Sequence, residues 1–277
     1  MLLSATRRWG SVEYGVADTR WTSGQVTGGR WKPLHHWLTD TLYRDVLVGC
    51  GADGRCFARN DAPLSRADGT LTLHAVELAS GTRLATPLGV ANVTLPRGAG
   101  AMAWVCLDGS NASSVVCESP ATVLAAAGCE PDGSDCAVEA ELTGVGGGAA
   151  IASNVIFMAM PSVLRFATRA TVSATVGTIA PDGASIPVNV TVSGGAALFV
   201  TLTTLAQGRF ERNAAPITPE GVWPMRFVPL LSAARGGLPL DAVELSRTLR
   251  IEHLALYYSS AAERGPPAVS SGGSSGE

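Results

Sequence analysis

The 277-residue sequence is 46% hydrophobic and 16% charged, enough apolar material for one large core or two ordinary ones, which excludes disorder over most of its length. Its 23 acidic and 20 basic residues leave a formal charge of −3, with the basic residues scattered singly, so no nucleic-acid partner is expected. No apolar run approaches the roughly 20 residues a membrane helix needs, so no membrane partner is expected either.

Taken in chain order, residues 1–8 lack the long apolar core of a signal peptide, so the sequence as it stands carries no secretory address. Residues 16–27 are polar and glycine-containing. From Trp31 the pattern becomes helical: Trp31, Leu34, His35, Leu38, Leu42, Asp45 and Val46 recur at steps of three and four, backed by Lys32, Thr39, Asp40 and Arg44. Pro33 falls in the first turn, where its missing N–H has no intrahelical partner to lose. A helix is therefore expected over residues 31–46, closing a segment that ends near residue 48.

Beyond it the sequence changes to short alternating or valine-rich runs cut by Gly, Pro, Asn and Asp. Strands are expected at residues 56–59, 71–78, 89–95, 101–107, 136–142 and 154–160, with a helical turn at residues 120–127 after Ser119. These make a first β-sandwich over residues 49–168. Strands at 171–179, 186–192, 197–205, 223–229 and 249–257, spaced by about ten residues and rich in β-branched side chains, make a second sandwich over residues 169–259, of the immunoglobulin-like kind. Residues 260–277, rich in Ser, Gly and Pro, read as a disordered tail.

Six cysteines without Cys-x-x-Cys spacing favour disulfides over zinc. Cys50 with Cys56 and Cys129 with Cys136 would each close a short loop, worth about 2 kcal/mol of chain entropy, while Cys106 and Cys117 can pair or stay free. Asn92, Asn111 and Asn189 are glycosylation acceptors in turn-like or alternating sequence, which together with the cysteines fits the secretory pathway. Chance placement in an alanine-rich chain is the plainer alternative. No metal site is expected: His35 and His36 diverge by about 100° on a helix, and His74 and His253 stand alone in strand patterns.

Several of these pieces together resemble one family. Trp9-Gly10-Ser11-Val12-Glu13-Tyr14, Arg30-Trp31-Lys32-x-Leu34-His35, Asn60-Asp61, Val105-Cys106-Leu107, Cys129 to Cys136, Ser153-Asn154, Gly208-Arg209-Phe210-x-x-Asn213 and Tyr257-Tyr258 are similar, in order, to the C-terminal part of β-mannosidases of glycoside hydrolase family two, closest to the animal lysosomal type. The resemblance implies that residues 1–48 are the last loop and helix of a truncated (β/α)8 barrel and that two immunoglobulin-like sandwiches follow. It implies a lysosomal or secreted full-length enzyme that removes terminal β-mannose from the non-reducing ends of oligosaccharides, without a cofactor. The stretch 16–27 then reads as an insertion.

Retaining glycosidases need two carboxylates about 5 Å apart. The family's acid follows an asparagine, and no Asn-Glu pair occurs in the chain, so no catalytic residue is assigned and the chain alone is expected to be inactive. The β-mannoside partner would be held by the missing barrel. Glu13 and Trp9 are candidates for the substrate-side rim, against the plainer reading that they merely finish the barrel. The expectation is thus a C-terminal portion whose leader and catalytic part lie upstream. The alternative is a free-standing carbohydrate-binding or adhesive pair of sandwiches.

Overall fold

The structure, a computed structural model, describes residues 20–22, 25–27, 37, 44–98, 100–113, 115–180, 184–206, 208–229 and 242–256. Within the polar stretch 16–27, β1 (Arg20–Thr22) and β2 (Gln25–Thr27) form an antiparallel ribbon. Trp37 is helical, and the remainder of the expected helix up to residue 43 lies outside the described residues.

The end of that expected helix requires a correction. Arg44 and Asp45 form a bend, and Val46 opens a strand, β3 (Val46–Cys50). Helical spacing placed Val46 on the helix, but the β-branched Val46 and Val48 pair with Asn60 and Ala58, and the Asp61 N–H donates to the Asp45 carbonyl at 2.7 Å. The first sandwich therefore begins at Val46, not at residue 49.

Alternation builds this sandwich. Along β5 (Gly69–Glu77), Leu71, Leu73 and Ala75 point inward and are no more than 1% exposed, while the residues between them are half-buried. β3, β4 (Arg55–Asn60) and β7 (Ala101–Cys106) make one antiparallel sheet. β6 (Gly89–Val93), β5, β8 (Cys136–Gly144) and β9 (Ala150–Phe157) make the other, in that order. One apolar core joins Val48, Ala58 and Val105 from the first sheet to Leu71, Leu73, Val138 and Leu142 from the second. The last strand starts at Ala150 and ends at Phe157, four residues earlier at its start than the sequence suggested, and Pro161–Val163 is a 3-10 turn. Helix α1 (Pro120–Ala126) is capped as expected: the Ser119 hydroxyl accepts from the Thr122 N–H at 3.2 Å, and Pro120 needs no donor at the first position.

The second group of strands is split in the same way. β10 (Thr171–Val176), β11 (Ile186–Ser193), β15 (Gly221–Pro229) and β13 (Gly208–Phe210) form one sheet, in that order. β14 (Ala214–Thr218), β12 (Ala197–Thr203) and β16 (Arg250–Glu252) form the other. The two share a core of Ile186, Val188, Val190, Leu202, Phe210 and Phe227. Three expectations change here. The stretch between the strands expected at residues 197–205 and 223–229 holds β13 and β14. A short helix, α2 (Ala242–Thr248), precedes β16 and buries Leu245 completely. The strand expected at residues 249–257 shrinks to Arg250–Glu252, because residues 254–256 turn helically and the Leu256 N–H donates to the His253 carbonyl at 3.2 Å.

The two sandwiches meet directly. Leu78 and Ala137 of the first pack with Leu164 of the connector and Leu198 of the second. The Ala196 N–H donates to the Ala79 carbonyl at 2.8 Å. Gly195, at φ +107°, lets these turns touch: a Cβ there would lie 2.9 Å from the Ala79 carbonyl oxygen and 2.5 Å from the Ala167 methyl. Among the described residues no helix is long and apolar enough to cross a membrane.

Candidate functional site

The edges of the first sandwich shape its approach to the second. β3 and β9 are edge strands of opposite sheets, and the Asn154 side-chain amide donates to the Val48 carbonyl at 3.0 Å, closing the gap between them. Beside this seam lies a cleft of about 430 Å³, walled by Val46, Leu47, Ser153, Asn154 and Glu139 of the first sandwich, by Phe199, Glu211, Arg212 and Pro216 of the second, and by Trp37 and Arg44. A more open groove of about 570 Å³, lined by Phe57, Ile156, Phe157, Met160 and Phe199, continues from it.

Phe199 stands where the two meet. Its φ of +55° puts a non-glycine residue in the left-handed region, which costs of order 1–3 kcal/mol and persists only where packing over-determines it. That packing is aromatic: the Phe199 ring lies 4.7 Å from Phe157 and meets Trp37 edge-on at 5.7 Å.

The charged lining is held in place from outside. Glu139 and Glu141, two residues apart on β8 and so on one face, both bind the Arg83 guanidinium, at 2.5 and 2.6 Å, and the two carboxylates favour its protonated form further. Glu211 pairs with Arg226 at 2.7 Å. Arg212 sits 5.5 Å from the centre of the Trp223 ring, and its Nε donates to the Ala214 carbonyl at 3.2 Å. Among the described residues the lining includes the charged side chains of Glu139, Glu211, Arg44 and Arg212.

The predicted positions sort clearly. Trp9, Glu13, His35 and His36 lie outside the described residues. All six cysteines are bridged: Cys50–Cys56, Cys129–Cys136 and the pair left open in sequence, Cys106–Cys117. Cys50 and Cys56 stand directly opposite each other across the β3–β4 hairpin. Asp135 lies near Cys129 and Cys136, but sulfurs bonded to each other offer no thiolate to a metal. Asn92, Asn111 and Asn189 are all exposed, the last on the outer face of β11. His74 and His253 each have a buried Nδ1 without a hydrogen-bond partner.

Two of the singled-out motifs serve the scaffold. In Gly208-Arg209-Phe210-x-x-Asn213, Phe210 packs edge-on against Phe227 at 5.2 Å, Gly208 leaves room for that ring, and the Asn213 amide donates to the Leu202 carbonyl at 3.1 Å. In Asn60-Asp61, Asn60 is fully buried, and its amide donates to the carbonyls of Ser65 at 2.8 Å and Pro96 at 3.0 Å while its oxygen accepts from the Ala62 N–H at 3.0 Å. The cleft residues Glu139, Phe199, Glu211 and Arg212 carried no signal of their own. Glu211 and Arg212 are the two unspecified positions of the first motif, and only the meeting of two sandwiches brings them opposite Asn154.

No protein-family model and no curated protein matches this sequence.

Proposed function

We propose that this chain is the accessory, C-terminal portion of a β-mannosidase-like glycoside hydrolase, with two immunoglobulin-like sandwiches that buttress an upstream catalytic barrel. The observation that carries the reading is the order of parts: a helical Trp37 packed on Phe199, followed at once by two consecutive sandwiches. Strand order supports the immunoglobulin-like part. In the first sandwich, strands one, two and five share one sheet and four, three, six and seven the other, which differs from the seven-stranded constant-type arrangement only in the sheet joined by the fourth strand. Three disulfides and three exposed acceptor asparagines support passage through an oxidising compartment, secretory or lysosomal.

On this reading the chain supplies neither acid nor nucleophile, and positioning cannot replace a missing nucleophile. The test is made on the native polypeptide. Protein captured from its host with an antibody to the sandwiches should be larger than 28.4 kDa, should yield peptides of a barrel with an Asn-Glu strand end, and should hydrolyse a nitrophenyl β-mannoside. The 277-residue chain by itself should not. A native product with no upstream barrel would overturn the proposal and leave the free-standing module.

A further inference from the structure

We infer that the free edge of β10 (Thr171–Val176) pairs with the same strand of a second copy of this chain, joining two four-stranded sheets across a two-fold axis. β10 lies at the end of its sheet and pairs with β11 alone. The Gly177 N–H donates to the Pro187 carbonyl at 2.8 Å, which sets the parity of the ladder: Thr171, Ser173 and Thr175 turn their backbone groups toward β11. Val172, Ala174 and Val176 turn theirs to the open edge, three donors and three acceptors in a row. Among the described residues no other strand or loop backbone pairs with them.

What marks β10 out is the lack of protection. The other described edges each carry a feature that keeps strangers off. β6 holds the acceptor Asn92, β14 holds Pro216, and β7 is covered at Val105 by Asn111. β9 shifts register against β8, and its Asn154 amide occupies the Val48 carbonyl of β3. β1, β2, β13 and β16 are only three residues long. β10 runs six residues in unbroken register, with no charged residue, no proline and no acceptor asparagine.

The occupant follows from self-complementarity. With Ala174 on the axis, Val172 stands opposite Val176 of the second copy, so the outward N–H and C=O groups of all three residues are met. Exposed Ser173 then stands opposite Thr175, a hydroxyl pair of the kind that supports cross-strand contacts. An isologous contact brings any charge near the axis close to its own copy, and β10 holds none. Pairing also closes, because the far edge of the sheet, β13, offers only three residues to a further copy.

The mass of the 277-residue chain is measured by light scattering from about 1 to about 100 µM, with amide exchange followed residue by residue. A concentration-dependent rise toward twice 28.4 kDa is expected, with the Val172, Ala174 and Val176 amides slowed in step with it. Ala174→Pro removes an N–H that β11 does not use and sets its ring in the edge, while Ser173→Lys with Thr175→Lys brings like charges together across the axis from exposed positions. Each should weaken association about tenfold or more and leave the thermal midpoint of the dilute chain unchanged. Should Ala174→Pro not fold, the lysine pair carries the test. A monomer at every concentration, a dimer indifferent to both variants, or a dimer in which those three amides exchange freely would each overturn the inference.

Discussion

Replacing Asn60 isolates what a single buried amide does for the first sandwich. The side chain is fully buried at the end of β4 and ties the two loops on either side of it to the strand. In Asn60→Ala the hydrogen bonds to Ser65 and Pro96 are lost at about 1 kcal/mol each, with both carbonyls belonging to exposed residues that water can reach. The Ala62 N–H is buried and loses its acceptor, which costs a further 1–3 kcal/mol, roughly 4 kcal/mol in all. Asn60→Asp sharpens the argument. The carboxylate still accepts from Ala62 but places a buried charge against carbonyl oxygens, so its pKa in the folded state rises above the unfolded value near 3.9. The unfolded chain then releases its proton first, and the penalty grows as pH rises through that range. Urea unfolding at neutral pH should rank the Asp variant below the Ala variant, and at about pH 4 the order should narrow or reverse, because a protonated carboxyl regains one donor. An Ala variant within about 1 kcal/mol of the parent, or an Asp variant whose deficit ignores pH, would refute the reasoning.

Three other perturbations have defined outcomes. His253 is 7% exposed, and burial holds its imidazole below the ordinary 6.5, so the stability it contributes is present above that pH and is lost as pH falls through the lowered folded value; the midpoint should drop more between pH 7 and pH 5 in the parent than in His253→Asn, and parallel curves would exclude the role. Deleting residues 1–43 should leave a cooperative transition, whereas deleting residues 1–48 removes most of β3 along with the buried Val48, worth about 1.5–3 kcal/mol, and the carbonyl that holds Asn154; equal midpoints for the two truncations would place the domain boundary elsewhere. Non-reducing peptide mapping should recover Cys106 linked to Cys117, and Cys106→Ser paired with Cys117→Ser should lower the midpoint by an amount equivalent to about 3 kcal/mol, so recovery of free thiols at both positions would contradict the fold.

What the sequence determined by itself is what depends on near neighbours along the chain. Strict alternation in Leu71, Leu73 and Ala75 placed β5, Ser119 with Pro120 placed the start of α1, and the short spacings placed Cys50 opposite Cys56 and Cys129 beside Cys136. Val46 went the other way, because a valine at helical spacing from Leu42 is equally at home in a strand, and the decision came from its pairing with Asn60, fourteen residues on. The same holds for β13, β14 and α2, too short for any period to show and ordered by the sheets and cores they join. Pairing of Cys106 with Cys117 followed from the loop that returns beside β7, where Val105 bridges to Asn111. The cleft belongs wholly to tertiary structure: Asn154, Phe199 and Arg212 come from two sandwiches, and their opposition is set by the turn contacts at Ala79 and Gly195 rather than by any local pattern.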